Sequence, residues 1–186
     1  MVSPPLYTIR TNARIRRHFW AASIGVSLLL AGCAVYVSPD HLQVAGRYRI
    51  ALGNVIRVFE PNRGQGATYN VGEEIRFRIV TSRSGYVTLT AIDPDGFVYV
   101  LGPRNTYVDA GETILPVARD NIRFTAAPPR GFHRVRVSFT PQPTDTTVTV
   151  YRGRRGVDTW TETIVTEVER YPSDARDIAE TNLFIR

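Results

Sequence analysis

The chain has 186 residues, a length that suits one domain, and all 23 of its basic residues are arginine, set against 17 acids for a formal net charge of +6. Four of those arginines (Arg10, Arg14, Arg16, Arg17) fall in residues 1–32, which hold no acid, so the remainder carries 19 basic and 17 acidic residues and is only +2. That balance argues against a nucleic-acid partner, which would need a basic face on the folded domain, and the sole cysteine, Cys33, excludes an internal disulfide and a thiolate-rich zinc site.

Met1 to His18 is a polar, basic leader with Arg14, Arg16 and Arg17 nearest the apolar run Phe19–Leu30. This 12-residue segment is too short to cross a bilayer core of about 30 Å and matches the apolar segment of an export signal. Leu30-Ala31-Gly32-Cys33 follows directly, and these four residues resemble the lipobox of bacterial lipoproteins. The resemblance implies a diacylglyceryl group on the Cys33 sulfur, cleavage between Gly32 and Cys33, and acylation of the new amine. Two or more acyl chains hold a protein on a membrane stably. An ordinary secretory signal with a chance cysteine is the competing reading. Ala34 stands where an Asp would favour inner-membrane retention, which points to the outer membrane of the cell envelope. Residues 1–32 are thus read as signal, 33–45 as a short tether lacking Ser/Gly richness, and 46–186 as the folded domain.

From Gly46 onward the pattern is β. Tyr48–Leu52 and Val55–Phe59 flank Gly53-Asn54 and predict a hairpin. Ile75, Phe77 and Ile79 alternate with Arg76 and Arg78, as do Val87, Leu89 and Ala91 with Thr88 and Thr90. Such alternation predicts half-buried strands with arginine and threonine facing water. Asp93-Pro94-Asp95-Gly96 predicts a tight turn, with Pro and Gly supplying the required backbone angles. Phe97–Leu101 returns as a strand that Pro103 ends. Thr113–Val117, Ile122–Thr125 and Phe132–Phe139 follow, and then Thr146–Tyr151 and Thr161–Val168. Ser173 reads as an N-cap for one or two helical turns over Ala175–Glu180, with Asn182–Ile185 as a last strand. Short strands separated by frequent turns predict an all-β fold, an antiparallel immunoglobulin-like β-sandwich with a short C-terminal helical turn.

Within this chain, Tyr69, Gly72 and Glu73; Gly85, Tyr86 and Val87; Asp93 and Gly96; Leu101 and Pro103; and Pro129 and Gly131 resemble the pattern of a bacterial family, domain of unknown function 4384, over Tyr69 to roughly Pro141. One departure is Gly102, which separates Leu101 from Pro103. The ending Arg176–Thr181 is similar to endings in Deinococcus-type surface proteins. The resemblance implies an envelope-facing protein and supplies no catalytic residue.

Candidate sites are few. His41 falls in the tether and His133 in a strand, and no Gly-x-Ser-x-Gly elbow accompanies them. Two histidines are also too few for a histidine-rich metal site. Asp93 and Asp95 are explained by the turn before any calcium loop is needed. Glu73 and Glu74, adjacent on a strand, face opposite ways and cannot share a site. Gly64-Gln65-Gly66 lacks the Lys and strand-to-helix setting of a phosphate loop. Arg152, Arg154 and Arg155 form the most basic loop and are a candidate polyanion contact, with a solvated loop as the alternative. The expectation is a lipid-anchored envelope protein without cofactor or catalysis. It would dock an envelope or surface-layer protein or a wall polymer. The alternative is an envelope hydrolase using an acid pair or His133.

Overall fold

The computed structural model describes residues 50–145 and 151–186, all within the compact unit Val37–Arg186. Leu30, Ala31, Gly32, Cys33, His41 and most of the strand expected at Thr146–Tyr151 lie outside the described residues. In chain order the elements are β1 (Ile56–Pro61), β2 (Ala67–Tyr69), β3 (Glu74–Ile75), β4 (Phe77–Thr81), β5 (Gly85–Ile92), β6 (Val98–Val108), β7 (Gly111–Leu115), β8 (Phe124–Thr125), β9 (Gly131–Thr140), α1 (Val157–Val168) and β10 (Asp177–Ile185). A five-stranded sheet runs β2-β10-β9-β5-β6, a three-stranded sheet runs β1-β4-β7, and β3 pairs with β8. Pairing is antiparallel except between β10 and β2.

The fold is a β-sandwich with a helix laid on one outer face. Val87, Leu89 and Ala91 of β5, Val135, Val137 and Phe139 of β9, and Leu183 and Ile185 of β10 point inward. They pack against Ile56, Phe77, Ile79 and Leu115 of the smaller sheet. This is the period-two alternation of the sequence turned into one core. Gly85 is needed where the inner face is most crowded, since a Cβ there would come within 2.3 Å of the Phe139 ring. On β4 the outward arginines behave as the alternation requires: Arg78 bridges Glu60 at 2.9 Å and Glu112 at 2.8 Å on the flanking strands.

The Asp93–Gly96 turn forms as expected. Gly96 adopts a φ of +81°, its N–H donates to the Asp93 carbonyl at 3.0 Å, and the Asp93 carboxylate accepts from the Phe97 N–H at 2.8 Å.

Four expectations need correction. First, residues 50–55 are not a strand; Ile50 and Leu52 instead pack in the apolar cluster beneath α1, and the Gly53 N–H donates to Arg176 O. Second, β6 does not end at Pro103. The register jumps from Val87↔Thr106 to Leu89↔Leu101, so Gly102–Asn105 forms a bulge that absorbs the proline within the strand. Third, Thr161–Val168 is helix and not strand. Its β-branched residues suggest a strand, but Val157, Trp160, Thr161, Ile164, Val165 and Val168 fall at helical spacing, and all but the half-buried Val157 are buried. The Thr161 and Thr163 hydroxyls donate back to Val157 O and Thr159 O, both at 2.7 Å. Fourth, the helical turns expected over Ala175–Glu180 do not form: residues 173–175 make a tight turn, with the Ala175 N–H donating to Pro172 O, and Asp177–Glu180 are strand. β10 begins at Asp177 because it pairs along β9 from Asp177↔Phe139 to Ile185↔Gly131.

The same helix changes what the other face of the five-stranded sheet does. Thr90 and Arg136 alternate outward as expected, yet α1 covers them. The Thr90 hydroxyl accepts from Trp160 Nε1 at 2.9 Å. Arg136 is buried, with its guanidinium 3.9 Å from the Trp160 ring centroid. It donates to Glu180 and to the Thr161 hydroxyl, both at 2.6 Å. Arg134 and Arg136 therefore pair with Glu180 on β10.

Candidate functional site

A cleft of about 430 Å³ opens between the inner face of the large sheet and the β3–β8 ribbon. That volume is in the range of small-ligand sites. Its floor is apolar: Ile75, Phe77, Leu101, Phe124, Val135 and Leu183. Phe77 and Phe124 meet at 6.0 Å between ring centroids, tilted by 56°. Polar groups are confined to Asp93, Tyr99, Arg123, Thr125 and His133.

Strand geometry brings three of these together. Tyr99 on β6 lies opposite Ala91 on β5 and so faces the cleft, at its open side, where the residue as a whole stays 37% exposed. His133 is the second inward residue of β9 after Gly131, and it is only 3% exposed. The Tyr99 hydroxyl is 3.4 Å from His133 Nδ1, and His133 Nε2 is 2.9 Å from Pro129 O. A carbonyl only accepts, so Nε2 carries a proton and, in the neutral ring, Nδ1 is the acceptor for Tyr99. Burial pushes the Tyr99 phenol up to about 12, with the Asp93 charge adding to the shift. The phenol is thus held as a hydrogen-bond donor, and it is a poor nucleophile or base near neutral pH. Arg123 stands differently: it has no hydrogen-bonded carboxylate among the described residues, although its charge contributes to lowering the Glu74 pKa.

The Tyr-x-x-Gly-Glu segment supports one side of this region. Tyr69 is fully buried, and its hydroxyl donates to Asn62 Oδ1 at 2.8 Å. The Gly72 N–H donates to Ala126 O, which ties the turn to the cleft's rim. Glu73 accepts from Arg63 at 2.8 Å, from the Asn70 N–H at 2.9 Å and from the Asn70 amide at 3.1 Å. Residues 68–143 match the family model described as Domain of unknown function (DUF4384). Every cleft residue except Leu183 and Ile185 falls inside the matched residues. Those two come from β10, so the C-terminal strand completes a wall that the segment begins. No curated protein and no solved structure matches the chain.

The bonds to Glu73 also make a pH prediction. Arg63 first, then the Asn70 N–H and amide, hold the carboxylate down to about 2 from its ordinary value of 4.5. A depressed folded pKa stabilises the fold above the unfolded value, and that contribution disappears as pH falls through about 2. The urea midpoint of the native chain is expected to fall more between pH 5 and pH 2 than that of Glu73→Gln. Parallel curves would show that this turn contributes nothing.

Arg152, Arg154 and Arg155 are exposed. Two of the three contact the start of β6 and the turn before it: Val98 N–H donates to Arg154 O at 3.1 Å, and the Arg155 guanidinium sits 3.7 Å from the Phe97 ring centroid. His133, placed in a strand by the sequence pattern, lines the cleft. Glu73 and Glu74 do not converge there. Tyr99 and Arg123 were missed because each reads as an ordinary residue until β6, β8 and β9 are placed together. Among the described residues no cluster of three or more His, Cys, Asp or Glu side chains has metal-binding geometry.

Proposed function

We propose that the chain is a lipid-anchored binding protein of the cell envelope that engages its partner through the cleft without catalysis. The observation that carries the binding reading is the cleft itself: an apolar floor with a Tyr99–His133 pair at its wall. The anchor rests on the run Leu30-Ala31-Gly32-Cys33 behind an apolar segment of export-signal length. The partner is an envelope or surface-layer protein, or a wall polymer, that offers an apolar group to Phe77, Leu101 and Phe124. Arg152, Arg154 and Arg155 provide an accessory polyanion contact.

Cell fractionation tests the anchor: Cys33→Ala should move from the membrane to the soluble fraction, and unchanged retention would remove the lipoprotein reading. In intact cells, a photo-reactive residue at Thr125, in the cleft, should give a discrete adduct. One at Arg83, in an exposed turn, should not. Equal or absent adducts would remove the cleft as the binding site.

His133 in the cleft also favours the hydrolase alternative. However, both ring nitrogens are engaged, by Pro129 O and by Tyr99. A catalytic base needs one of them directed at a nucleophile. The raised Tyr99 pKa likewise opposes its ionisation. Binding is therefore the better-supported reading.

A further inference from the structure

We infer that one end of the large sheet's outer face lies against the lipid surface, with Phe132 and Phe184 as the inserted side chains. The inference rests on the lipid-anchored reading above and adds to it a second, reversible contact at a defined orientation.

Phe132 and Phe184 are directly opposed on β9 and β10, and their neighbours in register, His133 and Leu183, point inward. Both phenylalanines therefore project from the outer face. α1 covers this face over Thr90, Arg136 and Ile178. The helix starts at the turn end of the sheet, where Gly156 N–H donates to Gly96 O. It leaves the Phe132–Phe184 row open: the two residues are 51% and 44% exposed. A third aromatic belongs to the same end. Phe97 is 40% exposed; its turn meets β9 from the inward side, where a Cβ on Gly131 would come within 2.8 Å of Pro94 Cγ, so Phe97 flanks the Phe132–Phe184 row at the sheet's end and does not share its face.

Chemistry at this end suits a headgroup boundary. Arg155 lies over the Phe97 ring, and Arg130 and Arg152 are exposed beside the same turn and loop. Asp95 and Asp158 are exposed here too and offset part of that charge. Aromatic side chains that enter the boundary while arginines stay at phosphate level are the usual interfacial pairing. The length of the route to the anchor allows this orientation, although the chain enters at the far end of β10, where the Gly53 N–H donates to Arg176 O and the Arg176 guanidinium to Ala51 O. Ile50 packs beneath α1, on this same outer face. The sixteen residues 34–49 that separate it from Cys33 can span at most about 55 Å.

Tryptophan quenching in vesicles tests the orientation. The full chain, purified from membranes, would be reconstituted into phosphatidylcholine–phosphatidylglycerol vesicles containing brominated lipid. Phe132→Trp and Phe184→Trp would be compared with Ile114→Trp, which is exposed on the opposite face of the sandwich. The unsubstituted chain gives the Trp160 background. Quenching at 132 and 184 at least about twofold stronger than at 114 is expected for rings 5–10 Å deep in the boundary. Equal quenching at all three positions overturns the inference. So does a signal at 132 that ignores brominated lipid but changes with protein concentration, because a second copy would then cover the patch. The mass of the Cys33 peptide separates the two claims. An acylated chain without selective quenching removes this inference alone, whereas an unacylated cysteine removes the anchor reading and this inference with it.

Discussion

Glu167→Ala is expected to lower the unfolding free energy by about 3–5 kcal/mol, the cost of leaving a buried charge without its partner. The Glu167 side chain is 2% exposed and that of Arg104, with which it pairs, 7%. The second Glu167 oxygen accepts from the Tyr151 hydroxyl at 2.6 Å. Burial, with Glu167 close by, pushes the Tyr151 phenol far above its ordinary range, so it stays a donor. Arg104 belongs to β6, whereas Tyr151 and Glu167 come from the segment that brings α1 over the sheet. This network therefore fastens the helix to the sandwich. Arg104 also lies within reach of the Thr144 hydroxyl at 3.4 Å, and the Asn105 amide donates to Thr144 O at 2.9 Å. Removing the carboxylate strands a buried guanidinium. Replacing both partners, as Arg104→Met with Glu167→Leu, removes the charge and should recover most of the loss. Urea unfolding followed by Trp160 fluorescence reads both variants. A single-variant loss below about 1 kcal/mol would place the pair in the class of solvated surface bridges and refute the network.

The sandwich was legible because its strands alternate strictly. Phe77 and Ile79, Val87 to Ala91, and Val135 to Phe139 each put their apolar residues on one side, and the two packed sheets bury all three runs in one core. The Asp93–Gly96 turn was legible because proline and glycine leave it few conformations. What alternation does not reveal is what lies beyond the polar side of a strand. Thr90 and Arg136 look solvated in sequence, and only the placement of α1 buries them. That helix was itself obscured by Thr159, Thr161, Thr163 and Val165, whose branching favours strands locally, although the Val157–Val168 stripe held the helical period. The cleft was less legible still. Asp93, Tyr99, Arg123 and His133 come from separate strands and turns. Their meeting depends on strand order and register, which local pattern does not encode. The residues that resemble the family pattern explain themselves as fold: Tyr69, Glu73 and Gly85 are buried, bonded or crowded for structural reasons. Asp93, Leu101 and Pro129 also line the cleft.

Trp160→Ala is expected to cost about 3–5 kcal/mol, as large aromatic deletions in cores do. Trp160 is fully buried, in a cluster with Ile50, Ile92, Val98, Ile164 and Ile178. It does more than fill space. Its indole N–H satisfies the Thr90 hydroxyl, and its ring lies against the Arg136 guanidinium. The side chain thus makes a charged residue tolerable on a covered sheet face. Trp160→Phe separates these roles. It keeps much of the packing but loses the indole hydrogen bond, about 1 kcal/mol, and offers Arg136 a weaker ring. Its loss should therefore fall well below that of the alanine variant. Chemical denaturation with far-ultraviolet circular dichroism would measure both. The alanine variant should also expose the sheet face beneath α1 and bind a hydrophobic dye before the sandwich core unfolds, because that core is a separate cluster built from the other side of the same strands. A Trp160→Ala chain as stable as the native protein would show that α1 does not rest on the sheet. The burial of Arg136, and with it the confinement of the open aromatic surface to Phe132 and Phe184, would then lose its structural basis.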